Sequence, residues 1–152
     1  ATPGRRGILL DRPAVAEGAT RHLAAAGVLD RCQVVGGDMF IEVPSDGDAY
    51  VFSRVIHDWD DERATVALRN CRRVIDPSGT LLVVEEVIPP GDAPGTGKLS
   101  DLNMLVGPGG QERTEAEYRA LYTAAGFALT QVISTQSRMS LIVGVPRAAH
   151  AA

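Results

Sequence analysis

Three polar groupings in the 152-residue sequence have the types and spacing to do chemistry. They are Asp11 after Gly7-Ile-Leu-Leu, Gly37-Asp38-Met39 after Gln33-Val-Val, and His57-Asp58 after Ala49-Tyr-Val-Phe. Each stands at or just past the end of a short apolar run, and in doubly wound sheets ligands bind outside the carboxyl ends of the strands. An acid placed like Asp11, about 20 residues beyond a Gly-rich turn, can hold ribose hydroxyls, and that count puts the turn ahead of Ala1. Asp11 can equally cap the helix that follows it. His57 offers an imidazole that titrates near neutral pH in a position suited to a general base, although a lone histidine is more often structural when position alone is read. His22, inside a helical pattern, and His150, near the end of the chain, have no such context. The acids Asp58, Asp60, Asp61 and Glu62 could hold magnesium, or they could simply favour the helix start they occupy.

The elements that must position these groups alternate between β-branched runs and amphipathic helical patterns, the signature of an α/β domain with a mostly parallel sheet. Strands are expected at 7–11, 33–38, 49–56 and 80–88. A helix opening at Pro13 carries Val15, Ala19, Leu23 and Ala26 on one face; a second, opened by Asp60-Asp-Glu62, carries Ala64, Ala67, Leu68, Cys71 and Ile75. Residues 89–97 read as a surface loop. Thr114-Glu-Ala-Glu117 is a capping box for a helix with Tyr118, Leu121, Tyr122 and Ala125 on one side. The runs 128–134 and 139–145 are spaced as an antiparallel pair, and the tail after Pro146 is expected to fray.

Composition narrows the function classes. With 45% hydrophobic residues the chain can fill one core, and a formal charge of -4 without a basic cluster argues against nucleic acid as a partner. No apolar run approaches the roughly 20 residues of a membrane span, so a soluble, cytoplasmic protein is expected. Cys32 and Cys71 lack CxxC spacing and read as small buried apolar residues.

Five motifs occur in order: Gly37-Asp38-Met39-Phe40, His57-Asp58-Trp59-Asp60-Asp61, Asn70-Cys71-Arg72, Asp101-Leu102-Asn103-Met104 and Gly109-Gly110-Gln111-Glu112-Arg113-Thr114. Together they resemble the class I O-methyltransferases of the plant caffeic acid type and their bacterial polyketide-tailoring relatives, through nearly the whole chain. The resemblance implies a partial Rossmann-like methyltransferase domain, with residues 1–146 its C-terminal part and 147–152 a disordered tail. The family's Gly-rich loop, first strand and N-terminal dimerisation domain would then be missing, which would leave two sheet edges unpaired. It further implies methyl transfer from S-adenosylmethionine to a phenolic hydroxyl of a small aromatic natural product, with S-adenosylhomocysteine as the second product and a homodimer at full length.

By the same resemblance His57 is the base, and Glu85 and Glu112 flank it and steady the imidazolium. Read on their own, those two glutamates are a strand-end acid and an ordinary charge before a helix. Asp11 is implied to hold the ribose, Asp38 and Met39 the adenine with Gly37 beside them, and Arg54 to lie near the cofactor. Met104, with Asn103 next to it, is implied to hold the acceptor. Metal is not required. Hydroxylation or decarboxylation in the same cofactor pocket is a rival reading, as is an inactive fragment that needs a complementary segment.

Overall fold

The computed structural model describes residues 4–91 and 96–148. The chain forms two compact units, Ala1–Ser45 and Asp46–Ala152. In the first, β1 (Gly7–Asp11), α1 (Pro13–Ala25) and β2 (Cys32–Gly36) make one βαβ unit. The two strands pair in parallel, with Leu9 opposite Val34 and Asp11 opposite Gly36. Pro13 starts α1 where a missing N–H costs nothing. The covered face of α1 runs through Ala16, Ala19 and Leu23, while Val15 and Ala26 are exposed. The expected face is thus rotated by about one residue, because a lone helix on two strands buries only a narrow stripe.

The second unit contains β3 (Ala49–Ser53), α2 (Asp61–Val74), β4 (Thr80–Glu86), α3 (Thr96–Val106), α4 (Glu115–Ala125), β5 (Phe127–Ser134) and β6 (Met139–Pro146). Its strand order is β3-β4-β6-β5. β3 pairs with β4 in parallel, whereas β6 runs antiparallel to both β4 and β5. The expected C-terminal hairpin is therefore present, with its second strand inserted next to β4. Among the described residues β1 pairs only with β2, and β3 only with β4.

The core of this unit follows the sequence pattern closely. Ala64, Ala67, Leu68 and Cys71 of α2, with Ile75 after it, are buried, as are Tyr118, Leu121, Tyr122 and Ala125 of α4. Burial of Cys71 pushes its thiol up to about 12, in keeping with an apolar role. The capping box of α4 makes both of its reciprocal bonds, and Gly126 closes the helix in the left-handed conformation at φ 87°. In β4, Leu81, Val83 and Glu85 alternate onto one face and all are fully buried. The period of 2 thus carries a carboxylate into the interior.

Further expectations change: β2 ends at Gly36 rather than residue 38, and β4 at Glu86 rather than residue 88. β3 stops at Ser53 rather than residue 56: Arg54 turns into the left-handed region at φ 54°, and Ile56–Asp58 forms a single 3₁₀ turn. His57 therefore sits one turn beyond the strand. The expected loop at 89–97 yields to α3 from Thr96, with residues 92–95 outside the described set. In the expected tail, Arg147 is held at both backbone groups, its N–H donating to Gly126 O (3.0 Å) and its carbonyl accepting from Arg72 Nη2 (2.9 Å). Residues 149–152, His150 included, lie outside the described residues. Among the described residues no helix is long and apolar enough to cross a membrane.

Candidate active site

The turn that carries His57 is shaped by Glu85. Val55 N–H and Ile56 N–H both donate to Glu85 Oε1 at 2.9 Å. These amides are drawn to a side chain instead of a strand partner, and for that reason β3 ends where it does. The other oxygen, Glu85 Oε2, lies 3.3 Å from His57 Nδ1, and Glu112 Oε1 lies 3.1 Å from the same nitrogen. His57, Glu85 and Glu112 are all buried. A carboxylate bonded in this way accepts, so the ring proton belongs on Nδ1 and a neutral imidazole keeps its lone pair on Nε2. The nearest carboxylate to Nε2 is Asp58 Oδ1, at 3.6 Å and beyond hydrogen-bond range.

Glu112 is held at one carboxylate oxygen and at its backbone N–H by groups from α3 and the turn. Ser100 Oγ donates to Glu112 Oε1 at 2.8 Å, and Glu112 N–H donates to Asp101 Oδ1 at 2.8 Å. Next to it, Gln111 N–H donates to His57 O at 2.9 Å, which lays the 110–113 segment directly over the His57 peptide. Ser100, Asp101, Gly110 and Arg113 have no role that their types and spacing in the sequence announce. The Gly109-Gly110 pair and the arginine after Glu112 were the available signals, and nothing marked Ser100, because α3 itself was not legible.

The charges divide unevenly. The hydrogen bond to Glu112 raises the His57 pKa above its ordinary value, outweighing burial, with Glu85 adding to the effect. Burial raises Glu85 despite its backbone bonds. Burial would raise Glu112 as well, but bonds from His57 and Ser100 hold it below the usual carboxylate value. Of the two carboxylates, Glu112 is the one whose surroundings favour the charged form. Glu112→Gln should keep an acceptor for Nδ1–H but remove the charge, so the His57 pKa should fall. The acid limb of a kcat/KM profile should move to lower pH, and an unmoved limb would mean that Glu112 does not set it.

The remaining candidates are placed as follows. Asp11 ends β1, is exposed, and accepts from Arg12 N–H at 2.7 Å. The cap position of α1 is Arg12, with no side-chain cap, so the helix-capping alternative for Asp11 does not hold. Gly37 N–H donates to Asp11 O at 2.9 Å, which puts the two strand ends side by side. Asp38 Oδ1 accepts from Phe40 N–H at 2.8 Å, in a turn that also holds Met39. Arg54 is the left-handed residue after β3, in the second unit. Asn103 is exposed and Met104 half-buried on α3, with Met104 one turn beyond Ser100 on the same face. Asp60 caps α2 by accepting from Arg63 N–H, and Asp61 lies in its first turn. As for a metal, His57, Glu85 and Glu112 present donor atoms within 4.8 Å of one another. A cation there would have to displace the Nδ1 proton.

The first unit carries acids at the ends of its parallel strands, and the second carries an imidazole backed by two buried carboxylates just past a parallel strand; each is the kind of strand end at which α/β enzymes bind ligands. The chain belongs to the O-methyltransferase domain family, which it matches over residues 1–128. It is 53% identical over 144 residues to phenazine O-methyltransferase PhzM of Lysobacter antibioticus, a match covering 95% of this chain and 42% of that protein. Among solved structures it resembles LaPhzM with a TM-score of 0.90 at 52% identity, over 95% of this chain and 44% of that one. It also resembles the O-methyltransferase NcsB1 from neocarzinostatin biosynthesis, in complex with S-adenosylmethionine and 2-hydroxy-5-methyl naphthoic acid, with a TM-score of 0.84 at 35% identity. That match covers 93% of this chain and 41% of the other. The chain thus spans less than half the length of these relatives.

Proposed function

We propose that the full-length protein transfers a methyl group from S-adenosylmethionine to a phenolic hydroxyl of a small aromatic molecule, with His57 as general base. The observation that carries this reading is the bonding of Nδ1 to Glu112, with Glu85 beside it, which leaves Nε2 as the ring's proton acceptor. A phenol with a pKa near 10 is largely un-ionised at neutral pH, and a poised imidazole lowers the cost of removing its proton. The proton passes to Nε2, and Glu112 stabilises the imidazolium that results. When bound, the cofactor supplies an electrophilic methyl on a sulfonium.

The residues at the ends of β1 and β2 fit the cofactor chemically. The Asp11 carboxylate is exposed, does not cap α1, and can accept from ribose hydroxyls. Asp38 and Met39 are assigned to the adenine and Gly37 to the close backbone approach. Arg54 near the cofactor, and Asn103 and Met104 at the acceptor, rest on the family resemblance. Incubation of the full-length protein with S-adenosylmethionine and a panel of phenols should yield S-adenosylhomocysteine and a product heavier by one methylene. Turnover of an acceptor without loss of the cofactor's methyl group would support hydroxylation or decarboxylation instead and would overturn the proposal.

No step in this scheme uses a metal. Exhaustive treatment with a chelator should leave the rate unchanged, and loss of activity restored by magnesium would contradict the base mechanism.

A further inference from the structure

We propose that Arg113 is a positioning residue that fixes which nitrogen of His57 faces the carboxylates; this rests on His57 being the base. The Arg113 side chain is fully buried, and its guanidinium wraps the turn that carries the imidazole. Nη1 donates to Ile56 O (3.3 Å) and Gln111 O (3.4 Å), Nη2 to Trp59 O (2.8 Å), and Nε to Asp61 Oδ1 (2.9 Å). Nη2 also lies 2.8 Å from Asp61 Oδ1. The carbonyls it holds belong to the residue before His57 and the second residue after it. Both ends of the 3₁₀ turn are therefore tied to one rigid, planar group.

The backbone of Arg113 is fixed as well. Ile88 N–H donates to Arg113 O at 3.1 Å, and Val87 pairs with Arg113 in a parallel bridge just after β4. Glu112 is the adjacent residue, so one residue spans the distance from the carboxylate to the turn bearing the imidazole. A buried guanidinium stays charged, and its fork cannot be reproduced by an ammonium. Arg113 touches neither the ring nor Glu112's carboxylate in these bonds; it acts by holding both backbones in register. Without it the turn can relax, and Nδ1 is no longer forced toward Glu112.

Glu112, Glu85 and Asp58 act on His57, Arg138 acts on Glu112, and Tyr118 and Tyr122 stand near Glu85. The test is NMR titration of the His57 ring nitrogens in the full-length protein, alongside steady-state kinetics. Arg113→Lys should increase the fraction of the Nε2–H tautomer and bring the His57 pKa down toward its ordinary value. It should lower kcat by between about ten- and a hundredfold with little change in cofactor KM. Asp61→Asn, at an exposed partner, should shift the tautomer and the pKa in the same direction by less, and it decides the matter if Arg113→Lys fails to fold.

A folded variant with the wild-type tautomer and pKa overturns the proposal. The readouts separate two failures. A tautomer shift without any rate loss leaves Arg113 as the positioning residue but removes His57 from catalysis.

Discussion

His57→Ala in the full-length protein should lower kcat/KM for an ordinary phenol by about a hundredfold or more, the usual worth of a general base, with cofactor binding nearly intact. The ring is buried against Glu85 and Glu112, so its removal also leaves two carboxylates facing a small void. Folding must therefore be checked beside the rate. The selective readout is the acceptor. A phenol already ionised at the assay pH has no proton to lose and should escape much of the defect, whereas a high-pKa phenol should bear all of it. The pH profile gives a second, independent sign. Because Glu112 raises the His57 pKa, the neutral base predominates only above a point higher than the ordinary imidazole value. The wild-type acid limb should lie on that side, and His57→Ala should lack it. Equal, small losses on both phenols would make His57 a structural residue.

How much of this was legible in the sequence follows from how local each feature is. The faces of α2 and α4 and the capping box at Thr114 depend on periodicity and caps within one segment, and those readings hold residue by residue. Where the outcome depends on a distant partner, the local pattern misleads. β3 looked longer because Val55 and Ile56 are apolar and β-branched, yet the carboxylate of Glu85, some thirty positions on, captures their amides. α3 is hard to read because it follows directly on a Pro- and Gly-rich run, and its leucines Leu99, Leu102 and Leu105, though at helical spacing, are exposed rather than core residues.

The candidate site divides along the same line. His57 could be picked out by its place after a strand, which is a local fact. Glu85 and Glu112, read without the family resemblance, were ordinary acids. Their burial is set by the alternation of β4 in one case and by the crossing of the 110–113 segment over the turn in the other. Period 2 does put Glu85 in line with Leu81 and Val83, so the first was in principle readable. The second was not, since no local pattern says that two loops will touch.

That contact makes the second large prediction. At Gly110 an added Cβ would fall on His57 O and Asp58 C, and 2.6 Å from Trp59 N, all backbone atoms. Backbone cannot swing aside as a side chain can. Gly110 N–H is bonded to Met104 O at 3.0 Å and Gln111 N–H to His57 O at 2.9 Å, so the segment has little room to shift either. Gly110→Ala must therefore push the 110–113 segment and the His57 turn apart. Overpacking of this kind costs about 1–3 kcal/mol, and at roughly 2–4 °C per kcal/mol for a domain of this size the midpoint of thermal unfolding should drop by several degrees. Because the displacement opens the 3.1 Å bond from Nδ1 to Glu112, the rate should fall as well, by about tenfold to a hundredfold. Gly109→Ala is the control. Its φ of 83° strains any other residue, at a cost of roughly 1–2 kcal/mol, but nothing lies within 4 Å of its Cβ position. It should lose stability while keeping the rate per folded molecule, so only the pair together separates damage to the fold from damage to the base. Equal rates for the two variants, measured well below both unfolding midpoints, would mean that the closeness of Gly110 to His57 has no part in catalysis.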